Sequence, residues 1–213
     1  MALTQVIVFA VLQGLAAIFP IGAGANAAVL RWATGWEADP ALMAAGQVGV
    51  LLAVVTFFWR DIFSMVHGLW RTAKGKRDPG ARLAFQLVVA SIPALALAFV
   101  ADHYIVDQLS SLRLVGWISV GAGVLLLFFD RMSMTVKRLE HATYIDTVLV
   151  GLCQVLALLP GASRASSTMT MARLLGYERD QAVRLSMLLA IPFLIAVLEK
   201  ELWAANMHFN TTR

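Results

Sequence analysis

Long runs of apolar residues, interrupted by short polar segments, limit the folds open to this chain more than any other feature. Four runs are predicted to cross a membrane as helices: Ala41–Trp59, Leu83–Ala101, Leu112–Phe129 and Ala182–Leu198. About 20 apolar residues in a helix span the hydrocarbon core, where backbone groups must be satisfied within the segment. Because 60% of the 213 residues are hydrophobic and 14% are charged, we predict an all-α, polytopic integral membrane protein.

Two further apolar segments carry nearly the same residue pattern, beginning at Gln13 and at Gln154. Each reads Q-x-L-A, then a proline, then a stretch of small residues, then G-aromatic-E-x-D-x-A before a long apolar run. The last motif is GWEADPA in the first copy and GYERDQA in the second. Paired, broken hydrophobic segments in two halves of a membrane protein indicate a binding site between repeats, near the bilayer midplane.

Each copy predicts a re-entrant helical hairpin. The arms are Leu3–Phe19 with Asn26–Ala33 in the first copy, and Ile145–Leu159 with Ala165–Leu175 in the second. The second arms are too short to span a bilayer. Non-helical backbone at that depth is tolerated where it is buried in protein or lines a wet cavity. The two hairpin tips are therefore expected to meet around a site.

Lysine and arginine are unevenly distributed among the polar segments. The loops 60–82 and 130–143 carry an excess of them, whereas the loop 102–111 carries none. The positive-inside rule places the first two loops in the cytoplasm and the third outside, in a multi-pass membrane protein. The two hairpins then enter from opposite sides, which predicts an inverted-topology pair. The net charge of +4 follows from these loops and does not point to nucleic acid.

The predicted domain organisation is a single membrane domain over residues 1–213. It has a first repeat over about 1–101, a connecting span over about 112–129 and a second repeat over about 145–203. We expect the second repeat to be truncated, because no segment after residue 204 is predicted to span the membrane.

Arg164 is the residue of the second hairpin best suited to bind an anion. The preceding Pro160-Gly161 pair predicts a turn, so Arg164 begins a short helix, where free N–H groups and the helix dipole favour negative charge. Hydroxyls surround it at Ser163, Ser166, Ser167 and Thr168. An arginine at membrane depth is a functional-site hypothesis by default, and a guanidinium fits two phosphate oxygens. The alternative is that Arg164 bonds to a carbonyl or carboxylate and holds the hairpin together.

The chain resembles the undecaprenyl-diphosphate phosphatase family, the BacA-type bacitracin-resistance phosphatases, from about residue 5 to 203. Residues 151–164 read GLCQVLALLPGASR, against the family pattern G-x-x-Q-x-L-A-L-x-P-G-x-S-R-S-G. Members of that family are membrane proteins with inverted repeats and re-entrant hairpins. They remove one phosphate from undecaprenyl diphosphate, the spent lipid carrier of peptidoglycan synthesis, and a divalent metal is implicated.

The resemblance and the residue chemistry together define the expected site. We expect Arg164 and Ser163 to be catalytic and assign no metal ligand. Six residues are expected to bind substrate: Gln13, Asn26, Gln154, Ser166, Ser167 and Thr168. The expected partners are a polyprenyl diphosphate lipid and the membrane, with a homodimer as a candidate assembly.

The first motif departs from the family pattern E/Q-G-L-x-E-x-x-P-x-S-S-x-G-H. Ala17 replaces the second acidic residue, Gly22 and Ala23 replace the paired serines, and Asn26 replaces the histidine. Alanine and asparagine supply neither a carboxylate for magnesium or calcium nor a general base. Three interpretations stay open: a divergent phosphatase, a non-catalytic lipid-phosphate binder or transporter, and a decayed copy.

Other polar residues have structural as well as functional interpretations. The four histidines, His67, His103, His141 and His208, lack metal-ligand spacing and are expected at the surface. Gln47 either lines the site or bonds between helices. The segment Lys74–Gly80 either binds anionic headgroups or only sets orientation. Arg184, inside an apolar run, is expected to reach the interface or to face protein.

Overall fold

The computed structural model describes residues 3–19, 29–32, 35, 40–101, 111–133, 136–159 and 161–211. The helices are α1 Leu3–Ile18, α2 Pro40–Phe57, α3 Trp59–Ala73, α4 Pro79–Ala101, α5 Leu112–Met132, α6 Tyr144–Leu152, α7 Arg164–Leu174 and α8 Arg179–Thr211. Two 3₁₀ helices cover Leu139–His141 and Cys153–Leu158. Within the described ranges, a lone parallel bridge between Lys137 and Tyr177 accompanies these helices, and the all-α prediction is confirmed.

Three helices are long and apolar enough to cross a membrane: Pro79–Ala98 in α4, Leu112–Met132 in α5 and Arg179–Glu199 in α8. Each contains most of a predicted span and extends beyond it. Proline is favoured in the first turn of a helix because its missing N–H has no intrahelical partner there, which suits the start of α4 at Pro79. These helices fit an integral membrane protein.

The span predicted over Ala41–Trp59 is wrong at its end. Helix α2 stops at Phe57, and Trp59 opens α3, which is bent by 77° from α2. Only together, as a bent pair, are the two helices long and apolar enough to cross a membrane. At 1.5 Å per residue, the 18 residues of α2 measure about 27 Å, slightly less than the hydrocarbon core.

The loop predicted over residues 60–82 is mostly helical, because α3 continues to Ala73. The segment contains many cations, which made it resemble a loop. Its apolar residues nevertheless recur with the spacing of a helix, so one face of α3 packs on the protein. The other predicted loop, 130–143, is also shorter than expected. Helix α5 extends into it as far as Met132, and a 3₁₀ turn covers Leu139–His141.

Helices α4, α6, α7 and α8 enclose the main core, and α2 packs along α8. Leu185, Leu188 and Leu189 of α8 are fully buried there. Helix α6 approaches α4 so closely that a Cβ on Gly151 would collide with the carbonyl of Ala90. This contact places the second motif against the centre of a spanning helix.

The second predicted hairpin has two short helical arms, but its first arm is not one continuous α-helix over Ile145–Leu159. Helix α6 ends at Leu152, and a 3₁₀ segment leads to the turn before α7. In the first hairpin, residues 29–32 are helical, whereas Asn26 lies outside the described residues.

Candidate functional site

Residues from both copies of the repeated motif line one cavity of about 180 Å³. Gln13 and Ala17 come from α1, Gln47 comes from α2, and Ser163 and Arg164 come from the start of α7. The remaining lining is apolar and is supplied by Ala16, Val50, Ala157, Ala162, Ala165, Phe193 and Leu194. The tertiary structure therefore brings together Gln13, Ser163 and Arg164, which the sequence predicted as site residues.

A turn held by helix α5 positions the start of α7. Gly161 adopts φ +100°, a conformation that side chains disfavour, and a Cβ there would collide with the carbonyl of Val115. The carbonyl of Gly161 accepts a hydrogen bond of 2.8 Å from the hydroxyl of Ser119. Ser119 was not predicted as a site residue. The one feature of the sequence that could have indicated its role is that it is a small polar residue inside an apolar span.

Ser163 is the N-cap of α7 and is buried at the cavity wall. Its backbone is extended, with φ −101° and ψ 134°, and its side-chain oxygen accepts a weak hydrogen bond of 3.5 Å from the N–H of Ser166. The first N–H groups of a helix lack intrahelical acceptors and carry partial positive charge. This end of α7 therefore favours an anion beside Arg164.

Arg164 uses one guanidinium nitrogen to hold two helices together. Its Nη1 donates a 3.0 Å hydrogen bond to the carbonyl of Ser186 on α8. Within the described part of the chain, no carboxylate forms an ion pair with it. A guanidinium has five N–H donors, so this bond leaves capacity for an oxyanion. Arg164 thus has both the structural role and the chemistry for phosphate that the sequence suggested.

Helix α7 separates Arg164, at its start, from a group of polar residues at its end. Its 11 residues extend about 16 Å at 1.5 Å per residue. At its far end, Arg173 Nε lies 2.8 Å from a carboxylate oxygen of Asp130. There the Tyr177 hydroxyl donates to Asp146 at 3.1 Å. Burial of Tyr177 and the negative charge of Asp146 raise the pKa of the phenol. The start of α7, which carries Arg164, thus lies about 16 Å from this polar end.

The other hydroxyls of α7 lie behind the cavity and are not among its lining residues. Ser166 donates to the carbonyl of Ser163 at 2.9 Å, and the Thr168 and Ser186 hydroxyls are 2.6 Å apart. Both Ser166 and Thr168 are buried, as is Ser167. The contact between Thr168 and Ser186 joins α7 to α8, whereas the Ser166 bond stays within the first turn of α7. The predicted role of the three residues in substrate binding stays a prediction.

Gln154 is fully buried and lies outside the lining of the cavity. Its Nε2 donates a 3.4 Å hydrogen bond to the carbonyl of Leu189 on α8. Its Oε1 accepts no hydrogen bond from the described residues. The contact ties the 3₁₀ segment to α8 near Pro192, and a binding role for Gln154 stays a prediction.

The described lining of the cavity does not fit a hard divalent cation. Its oxygen donors are the neutral side chains of Gln13, Gln47 and Ser163, and Ala17 supplies none. Among the described residues, no group of three or more histidine, cysteine or acidic side chains is placed to hold a metal. Magnesium and calcium are bound in proteins chiefly through carboxylates, so this lining does not fit the divalent metal that the family resemblance implies.

A larger apolar cavity of about 650 Å³ adjoins the polar one and shares Ala17 and Val50 with it. It lies between α1 and α2, with Val183 and Met187 of α8 completing the wall. A hydrocarbon chain from the bilayer gains van der Waals contacts with the cavity wall when it occupies such a surface. One cavity is thus lined by apolar residues and the other contains polar residues and an arginine, an arrangement that suits a molecule with an apolar tail and a charged head.

Comparison with known proteins agrees with this chemistry. The family model of bacitracin resistance protein BacA matches residues 6–212. Undecaprenyl-diphosphatase 1 of Rhodospirillum rubrum is 46% identical over 200 residues, which cover 90% of this chain and 71% of that protein. Undecaprenyl-diphosphatase 1 of Paramagnetospirillum magneticum is 40% identical over 214 residues, with coverage of 98% and 78%. Undecaprenyl-diphosphatase of Ruegeria pomeroyi is 40% identical over 200 residues, with coverage of 92% and 74%.

Proposed function

Since this chain belongs to the BacA family, we propose that it hydrolyses undecaprenyl diphosphate to the monophosphate within the membrane. The observation that carries the proposal is the single cavity that joins Gln13 of the first motif to Ser163 and Arg164 of the second. The adjoining apolar cavity supplies a place for the polyprenyl chain.

The proposed reaction is attack by water on the terminal phosphorus. The bond from that phosphorus to the bridging oxygen breaks, the lipid leaves as its monophosphate, and inorganic phosphate forms. Free N–H groups of Arg164 bind the phosphoryl oxygens, and the Ser163 hydroxyl donates to one of them. Fixed positive charge at such oxygens stabilises the transition state, and positioning of the reactants supplies most of the remaining rate enhancement.

The described lining contains no carboxylate or imidazole to accept the proton of the attacking water. A positioned general base contributes about 10²–10⁴-fold to a rate. The chain is therefore expected to be a slow phosphatase. Binding without turnover, the second function considered from the sequence, gains no support from the relatives, which are named as diphosphatases.

The proposed architecture is a pair of inverted repeats whose hairpin tips meet at the cavity. The packing of α2 along α8 supports it, since these helices follow the two copies of the motif. A homodimer is compatible with this arrangement.

The proposed orientation places residues 60–82 and 130–143 in the cytoplasm of a bacterial inner-membrane protein. Support comes from a polar groove of about 880 Å³ lined by residues of both segments and by Arg184. The two basic segments therefore share one end of the molecule, as the positive-inside rule requires.

Phosphate release from undecaprenyl diphosphate by the purified full chain tests the function. Arg164→Ala is expected to reduce release at least about 100-fold, the scale of losing one transition-state donor. Arg113→Ala removes an exposed arginine at the start of α5 and is expected to leave release unchanged. Wild-type release no faster than that of Arg164→Ala would overturn the proposal. Lipid binding without release would then favour the binder.

A further inference from the structure

Helix α3 presents an apolar stripe that the described protein leaves uncovered. Trp59, Phe63, Val66 and Trp70 follow one another at intervals of four, three and four residues, which places them on one side of a helix. Their exposed fractions are 57%, 66%, 59% and 63%. In water, such a continuous stripe would be a liability, and its size marks an interaction surface.

A basic stripe borders the apolar one. Arg60 lies with its guanidinium carbon 5.5 Å from the ring centroid of Trp59, and the Lys74 ammonium lies 4.7 Å from that of Trp70. Lys76 follows in the loop after α3 and is exposed, as is Arg77. Aromatic rings with adjacent cations are the side chains enriched where a protein meets the headgroups of a bilayer.

The acidic residues of this segment are already engaged. Asp61 pairs with Arg184 of α8. Asp78 lies 3.3 Å from Arg71 and also accepts a 2.9 Å hydrogen bond from the N–H of Gly80. Within the described structure, no carboxylate pairs with Arg60, Lys74, Lys76 or Arg77. The segment therefore presents uncompensated positive charge.

The orientation of α3 is set by close packing of the side that faces the protein, away from the apolar and basic stripes. A Cβ on Gly68 would lie 2.6 Å from the backbone nitrogen of Ala81, so α3 and the start of α4 touch through backbone. Met65 is buried on the same side. Helix α3 is also bent by 77° from α2, so the two helix axes are nearly perpendicular.

From these observations we propose that α3 is an interfacial helix that binds anionic phospholipid. Trp59, Phe63, Val66 and Trp70 enter the boundary between headgroups and acyl chains. Arg60, Lys74, Lys76 and Arg77 contact the lipid phosphates. Amphipathic helices with a basic face bind bilayers in this way, with anionic lipid adding to the apolar contribution. The inference does not depend on whether the chain hydrolyses its substrate.

Lipid selectivity at α3 tests the inference without reference to activity. The full chain carries Cys153→Ala and Val66→Cys, and the new cysteine is labelled with a small fluorophore. The labelled protein is reconstituted in nanodiscs of phosphatidylcholine with about 20–30% phosphatidylglycerol. This anionic content is on the order of that which gives a cytoplasmic leaflet its surface potential. A spin-labelled quencher is carried on either lipid. Quenching by the anionic lipid is expected to be at least about three-fold more efficient than quenching by the zwitterionic one.

Removing the basic stripe with Arg60→Gln, Lys74→Gln, Lys76→Gln and Arg77→Gln is expected to bring this ratio close to one. Arg113→Gln, an exposed arginine outside the stripe, is the matched control and is expected to keep the ratio. If the quadruple variant does not fold, raising the salt concentration on the parent protein is expected to lower the ratio by screening.

Equal quenching by both lipids, or a ratio that survives the quadruple change and high salt, would overturn the inference. Protection of the label from both lipids would overturn it too, because the stripe would then be covered. In that case, disulfide-linked dimers of a Phe63→Cys variant would identify a second copy as the occupant.

Discussion

Arg184 on α8 forms an ion pair with Asp61 on α3, and its Nε donates to the Asp61 carboxylate at 3.2 Å. The pair explains how an arginine is accommodated near the start of an apolar helix. Asp61 is the acceptor that the sequence did not identify, because 123 residues separate the partners along the chain. The contact attaches the interfacial helix to the helix that carries Ser186 and Leu189.

The ion pair is expected to contribute modestly to stability, since Arg184 is 39% exposed and Asp61 is 18% exposed. Arg184→Ala and Asp61→Ala are each expected to destabilise the protein. The double variant is expected to lose less than their sum, with a coupling energy of about 1 kcal/mol. Thermal unfolding of the four proteins in detergent measures this cycle. Additive losses would show that the pair contributes nothing.

Gly161 is expected to be essential to the geometry of the site. Gly161→Ala introduces a side chain at φ +100° and against the carbonyl of Val115, which moves the turn that positions Arg164. We expect phosphate release to fall by about 100-fold, the cost of misplacing a catalytic group by about 1 Å. Gly121→Ala on α5, where a Cβ meets no atom within 4 Å, is the control. Equal activity of both variants would contradict the role of the turn.

Restoring the family residues in the first motif is expected to increase turnover. Ala17→Glu places a carboxylate on the cavity wall, and Asn26→His adds a group that titrates near neutral pH. The double variant is expected to release phosphate about 100-fold or more faster than the wild type, because it regains a general base. Phosphate release with magnesium or calcium present measures the change. A restored protein no faster than the wild type would show that the site already contains all that it uses.

Filling the apolar cavity is expected to discriminate between lipid tails. Gly49 lines that cavity, and a Cβ there meets no atom within 4 Å, so Gly49→Phe can begin its side chain without a collision and adds bulk to the cavity. The KM for undecaprenyl diphosphate is expected to rise about ten-fold, since losing about ten atom contacts between the tail and the cavity wall costs about 1.4 kcal/mol. The KM for a short-chain diphosphate is expected to change little. Equal effects on both substrates would place the tail elsewhere.

Some features could be predicted from local sequence because their cause is local. The apolar runs of α4, α5 and α8 contain enough residues to cross a bilayer, and lipid leaves the backbone no alternative to a helix. The Pro-Gly turn and the hydroxyl cap likewise place Arg164 at a helix start. The end of α2 and the helical character of α3 were missed, because tertiary packing on α4 and the pair with Arg184 stabilise a segment whose charges resemble those of a loop.

The sequence by itself therefore determined the class of fold, the family and the position of Arg164 at the start of a short helix. These depend on composition and on short motifs. Only the tertiary structure decided which polar residues share a cavity. Gln13, Gln47, Ser163 and Arg164 line it, whereas Thr168 and Gln154 bond to α8, and Ser166 bonds to the carbonyl of Ser163 within its own turn. The physical reason is that neighbouring hydroxyls on a helix point to different sides of it. The packing of α7 against α8 therefore decides which of them face the cavity.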